Sequence, residues 1–226
     1  TPLSILTFDC DTALRVSRVV FRGQNVGFQQ LPTKILEISL PQSIAAGTYD
    51  SITVHYAGTP PQTGFGSFMQ RLRNGVPELW TLSEPYGSRD WFPCKMDLKD
   101  KIDSIDVYVT TNMQYQVASN GILKGVYPDS PIPELRTHHW QHRYPIANYL
   151  IAIAVTRYDT NTTQIRLPSG GNMPLVNYAY PEDTATARAR MPLFIRTLQL
   201  YDSLFGAYPF KKEKYGHAQF GWGGGI

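Results

Sequence analysis

Short runs in which apolar and polar residues alternate fill the chain up to about residue 180, and turn-forming residues separate them. The clearest run sets Ile105, Val107 and Val109 against Asp106, Tyr108 and Thr110, the period of two expected of a strand with one buried face. The same reading predicts strands over residues 3–9, 14–21, 26–31, 34–40, 51–57, 79–82, 104–111, 115–123, 137–144, 149–156, 164–167 and 175–180. Turn chemistry lies between them in Ala46-Gly47-Thr48, Gly58-Thr59-Pro60-Pro61, Asn120-Gly121 and Ser169-Gly170-Gly171-Asn172. Many short strands at this spacing predict a mainly β fold, a sandwich rather than alternating strands and helices.

The pattern changes at Pro181. Met191, Phe194, Ile195, Leu198, Tyr201, Leu204 and Phe205 follow the i, i+3, i+4 spacing of an amphipathic helix over 182–205. Glu182, Asp183 and Thr184 supply acidic and capping chemistry at its start, and Gly206 suits its stop. Pro192 predicts either a kink or a first turn that ends before it. A strand over 215–220 then runs into Gly221-Trp222-Gly223-Gly224-Gly225-Ile226. Consecutive glycines after a strand let a backbone or an extended ligand come close, because no Cβ stands in the way. Such an element belongs to the middle of a domain, so the chain is expected to be part of something larger. One helix and one strand cannot bury a core alone. They are expected to pack on the sandwich or on polypeptide outside this sequence.

Composition narrows the class. With 42% apolar and 17% charged residues among 226, the chain has the make-up of a soluble, core-forming protein. Its 14 Tyr, 10 Phe and 4 Trp reinforce the strand reading. No apolar run approaches the length of a membrane span, and no signal peptide is visible. The net charge of +3 is scattered, with no basic stripe interleaved with aromatics, so no nucleic-acid partner is expected. Cys10 and Cys94 fit one disulfide in an oxidising compartment or two buried thiols, and the frequency with which cysteine is buried favours the thiols. For location, a secreted, periplasmic or cell-surface setting is favoured over the cytoplasm.

Residues 81–94, from Thr81 through Glu84-Pro85 and Arg89-Asp90-Trp91 to Cys94, are too specific for a generic loop. Glu84 stands at a strand end before a proline that favours an extended backbone. A carboxylate held there could receive a ligand's ammonium group. The plain alternative is a surface acid paired with Arg89. His138 and His142, four apart, would meet at a metal only on a helix. Their flanks read as a strand, which sets them about 13 Å apart, so no metal site is assigned there. His217 shares a strand face with Tyr215 and Gln219, and a lone strand histidine is read as structural. No nucleophile elbow, phosphate-binding loop or CxxC pair occurs.

Five segments in order resemble the aminopeptidase N family of zinc metallopeptidases, the gluzincins that include leukotriene hydrolase. They are Ser83-Glu84-Pro85 with Arg89-Asp90-Trp91-Phe92-Pro93-Cys94, Asp100-Lys101-Ile102-Asp103-Ser104, and Tyr144-Pro145-Ile146-Ala147-Asn148-Tyr149-Leu150. Leu204-Phe205-Gly206-Ala207-Tyr208-Pro209-Phe210 with Glu213-Lys214-Tyr215 follows, and last the glycine run, similar to the entry of the Gly-x-Met-Glu-Asn exopeptidase loop.

The resemblance implies a saddle-like β-sandwich over 1–180, without its first strands, and the opening helix and strand of a thermolysin-like α/β catalytic domain over 181–226. It implies peptide substrates, an α-amino anchor at Glu84, and main-chain binding at Gly223, Gly224 and Gly225. It also implies zinc in the full-length parent, and the remainder of a catalytic domain as partner. Ile226 stands where the family has Met. No His-Glu-x-x-His occurs, so neither a catalytic residue nor a metal ligand is assigned to this chain, and the chain alone is expected to be inactive. The alternatives are a non-catalytic β-sandwich binding or adhesion module and an inactive scaffold homologue.

Overall fold

β-Branched and aromatic residues at every second position form strands wherever one face of the run finds a core. The computed structural model describes residues 2–128 and 131–223. The chain forms two units, one of residues 1–69, 81–102 and 146–152, the other of 70–80, 103–145 and 153–226.

In the first unit β1 (Leu3–Asp9), β2 (Arg15–Phe21), β3 (Gln24–Asn25), β4 (Phe28–Gln30), β5 (Ile35–Ile44) and β6 (Ile52–Ala57) make two antiparallel sheets, ordered β1-β5-β4 and β3-β2-β6. Their inner faces enclose Cys10, Leu14, Val19, Leu36 and Ile38. β5 runs past the expected residue 40, across Pro41. The pairing slips there from Ile5↔Ser39 to Leu3↔Ile44, a bulge at which proline's missing N–H interrupts no ladder.

β7 (Ser67–Arg73) and β8 (Val76–Leu82) pass from one unit's residues to the other's. β7, Ser-Phe-Met-Gln-Arg-Leu-Arg, has no apolar alternation, and only the end of β8 is legible as a strand. The signal for both is the turn between them. Asn74 and Gly75 have φ of 49° and 77°, the left-handed pair that a two-residue hairpin requires.

The second unit holds β9 (Ile105–Asn112), β10 (Gln116–Ser119), β11 (Ile122–Pro128), β12 (Leu135–His142), β13 (Ile153–Thr156), β14 (Asp159–Arg166), β15 (Asn172–Ala179), the helix α1 (Thr184–Phe205) and β16 (Tyr215–Ala218). Its sheets are ordered β11-β12-β9, β10-β13-β8-β7 and β14-β15-β16. The expected strand over 115–123 is two strands in different sheets. β10 pairs with β13 and β11 with β12, and the chain changes sheet at Gly121. Gly121 has φ +78°, and a Cβ there would lie 2.0 Å from the Gln141 carbonyl oxygen.

α1 is preceded by a single 3-10 turn, Pro181–Asp183, and continues without a break through Pro192 to Gly206, whose φ is 90°. Met191 and Leu198 bury on Ile165, Leu167, Met173 and Leu175 of the β14–β15 hairpin, with Phe194 and Ile195 packed beside them. The expected docking on the sandwich segment is therefore present for one stripe of the helix. Leu193, Leu200 and Leu204 form another stripe that stays exposed, and Tyr201 and Phe205, which continue the first stripe towards the helix end, are exposed as well, Phe205 at 80%. α1 is also the crossover that lets β16 pair parallel to β15.

Candidate functional site

β8 delivers the 83–94 segment into the first unit, and side-chain bonds hold it there. The Glu84–Pro85 peptide is cis. Gly87 N–H donates to the Ser83 carbonyl at 2.9 Å, closing the turn that carries Glu84. A Cβ on Gly87 would stand 2.2 Å from Ser67 Oγ, so only glycine lets the turn come this close. A 3-10 turn over Ser88–Asp90 follows.

The indole N–H of Trp91 donates to Ser83 Oγ at 2.9 Å, and the hydroxyl of Thr63 donates to the buried carboxylate of Asp90. Asn148, from the Tyr144–Leu150 segment, lies beneath: its Oδ1 accepts from Ser88 Oγ at 3.1 Å and its Nδ2 donates to the Lys95 carbonyl at 2.5 Å. Arg89 faces Asp9 at 3.8 Å, not Glu84. The half-buried Glu84 side chain makes no ion pair or hydrogen bond among the described residues, so the pairing with Arg89 considered as its plain alternative does not form. The frame is therefore fixed on both sides of a carboxylate that has no bonding partner among the described residues.

Both cysteines are free and buried in this unit. Burial, then the Asp11 charge, pushes the Cys10 thiol up to about 11, and burial, then the Asp9 charge, pushes Cys94 up to about 12. They are inert small hydrophobes rather than nucleophiles.

In the second unit the glycine run leaves β16 through a tightly held stretch. Gln219 N–H continues the ladder to the Tyr178 carbonyl at 3.0 Å. Its side-chain oxygen accepts from Tyr180 N–H at 2.7 Å and its amide donates to Asp183 at 3.0 Å. Phe220 packs on Trp80 at 5.0 Å between ring centroids. Gly223 is exposed, with open space where a Cβ would be. Gly224 and Gly225 lie outside the described residues.

The histidines lie where a strand puts them. β12 alternates, so His138 and His142 share its inner face while His139 points the other way, onto Asp106 at 2.7 Å. His142 Nδ1 meets Glu213 at 2.5 Å, and that carboxylate also accepts Arg143 N–H at 2.7 Å. His217 packs against Phe194 and Tyr215, and burial lowers its pKa. No group of three or more His, Cys, Asp and Glu able to hold a metal occurs among the described residues. Sequence reasoning missed Glu78, Asn148 and Lys214 as organising side chains, because each acts through partners far away in the chain.

No family model matches the chain. Over 220 residues it is 22% identical to human endoplasmic reticulum aminopeptidase 1, which spans 88% of this chain and 22% of that protein. An M1 zinc metallopeptidase from Deinococcus radiodurans is 25% identical, with a TM-score of 0.77 over 96% of this chain and 48% of its own. A variant of the Deinococcus enzyme bound to a Tyr-Ser-Ala substrate is 24% identical, with a TM-score of 0.75 over 96% of this chain and 49% of its own. The chain thus spans about half of the solved structures it matches, and less of the curated relative.

Proposed function

We propose, from the likeness of this chain to the N-terminal portion of the aminopeptidase N-like zinc metallopeptidases, that it is the substrate-receiving part of a zinc-dependent aminopeptidase that removes N-terminal residues from peptides. Glu84 receives the substrate's α-ammonium group. Gly223, Gly224 and Gly225 receive its main chain as an added strand. The zinc belongs to the whole enzyme, as the likeness to zinc metallopeptidases implies, with its ligands in the remainder of the catalytic domain. The remainder of the catalytic domain is therefore this chain's partner.

The observation that supports the reading is the Glu84 carboxylate just past β8, which makes no ion pair or hydrogen bond among the described residues, on a turn held by the Gly87–Ser83, Trp91–Ser83 and Ser88–Asn148 bonds. A carboxylate placed this way favours a free amino terminus through a charge-assisted bond and offers nothing to a blocked one.

In the full-length enzyme Glu84→Ala removes a bond worth about 1.5–3 kcal/mol, a loss in kcat/KM of roughly ten- to 150-fold on aminoacyl substrates. Glu84→Gln falls between wild type and Ala, because an amide still accepts a hydrogen bond but carries no charge. A substrate with a blocked N-terminus is processed poorly by every form and loses little further on mutation. Equal kcat/KM for wild type and Glu84→Ala on a free-amine substrate would overturn the assignment.

A further inference from the structure

We propose that Glu78 is a positioning residue that sets where the backbone leaves β16 for the glycine run. Glu78 lies on β8, and its side chain is fully shielded from solvent. Its Oε2 accepts from Arg71 Nε at 2.9 Å, while its Oε1 accepts from the Tyr180 hydroxyl and from Gly221 N–H at 3.1 Å. Those donors come from three separate stretches: β7, the end of β15 and the chain just past β16. Arg73 lies over the Tyr180 ring at 3.6 Å and pairs with Glu182, which holds the ring so that its hydroxyl meets Glu78.

A buried carboxylate is costly unless every oxygen is bonded, and an apolar cluster of the same shape often stabilises as well. What the carboxylate adds is an acceptor for a main-chain N–H that no strand serves. Gln219 makes the last bond to β15, and Trp222 N–H turns back to the Phe220 carbonyl at 2.9 Å. Gly221, between them, is bonded through Glu78. A Cβ on Gly221 would fall 1.0 Å from a terminal nitrogen of Arg71, so glycine is required there while Arg71 stays paired. Residues 219–221 are thus clamped one after another, and the exposed Gly223 starts from a fixed point. The inference rests on the reading that the glycines bind a peptide main chain, but the clamp itself can be tested without it.

The test uses the ¹⁵N-labelled 226-residue chain. Glu78→Leu keeps the bulk and removes the acceptor. The Gly221 amide proton then moves upfield and its hydrogen exchange speeds by roughly ten- to 150-fold, the loss expected of one bond to a charged group. The amides of Gly216, His217 and Ala218 change little. Tyr180→Phe leaves the acceptor in place, so Gly221 stays protected.

Should the Leu variant fail to fold, Glu78→Gln decides. Its single oxygen goes to the charged Arg71, its NH₂ group faces Gly221 N–H, and the same loss follows. Unchanged Gly221 exchange, or equal acceleration of all the second unit's amides, overturns the proposal. Tri-alanine is titrated in parallel with shifts read at Gly223. No peptide response beside a positive Gly221 result upholds the clamp and counts against the peptide-binding reading alone.

Discussion

Asn148 shows how single side chains set the frame of the candidate site. It joins Ser88 and Lys95 from one buried position, serving one as acceptor and the other as donor. Asn148→Ala leaves the buried Ser88 hydroxyl without its acceptor and the Lys95 carbonyl without its donor, and costs about 1–3 kcal/mol. Asn148→Asp recovers none of the Lys95 bond, because it sets a carboxylate oxygen against a carbonyl oxygen. Urea denaturation checks both, and an Ala variant within about 0.5 kcal/mol of wild type would show that the two bonds contribute little. Asn148 and Glu84 both stand in segments whose residue types are distinctive in the sequence. Glu78 sits in an ordinary-looking strand, and nothing near it in sequence announces Tyr180 or Gly221.

At the scale of elements, α1 is one helix with two apolar stripes that experience different surroundings. Leu198 is buried on the β14–β15 hairpin, whereas Leu204 is 64% exposed. Leu198→Ala is expected to destabilise by about 2–5 kcal/mol, since it removes core contacts and leaves a cavity. Leu204→Ala should stay within about 0.5 kcal/mol. Similar losses for the two variants in denaturant titrations would mean that the helix is docked through a different face. Periodicity locates the helix but not the split, because both stripes follow i, i+3, i+4 spacing. Which one is covered depends on what the β14–β15 hairpin presents.

At the scale of the molecule, Lys214 in one unit and the two thiols in the other respond to alkali with opposite signs. Burial lowers Lys214, in the second unit, from 10.5 to about 8, although its ammonium group lies 4.8 Å from the Trp140 ring centroid and donates to the Ser119 carbonyl at 2.8 Å. Between pH 8 and about 10.4 the unfolded chain holds this proton and the folded chain does not, so Lys214 makes stability rise with pH. In the first unit Cys10 and Cys94 are raised from 9.0 to about 11 and about 12, chiefly by burial. Above about pH 9 the folded form keeps protons that the unfolded form sheds, so the thiols make stability fall as pH rises. The unfolding free energy of wild type minus that of Lys214→Met should therefore grow from pH 7.5 to 9.5. The same difference against Cys94→Ala should shrink. Urea titrations at the two pH values measure both, and flat differences would refute the signs. Above pH 10 the buried Tyr178, pushed up to about 12 by burial, adds to the loss.

The sequence by itself determined what depends on neighbours in the chain. Alternation gives β9 and β12, the spacing of Met191, Leu198 and their companions gives α1, and glycine chemistry gives the β14–β15 hairpin and the end of the helix. The ordered segments around Glu84, Asn148 and Tyr215 carry the resemblance to zinc aminopeptidases, a likeness shared by the fold. Tertiary structure alone decided which strands pair. Asn120-Gly121 looks like a hairpin turn, yet the chain changes sheet there, β10 pairing with β13 and β11 with β12. It also decided that Glu84 has no bonding partner among the described residues while Glu78 takes three donors. Both are glutamates of one strand region. Their difference lies in the solvent and partners that the fold brings to each, which no local pattern encodes.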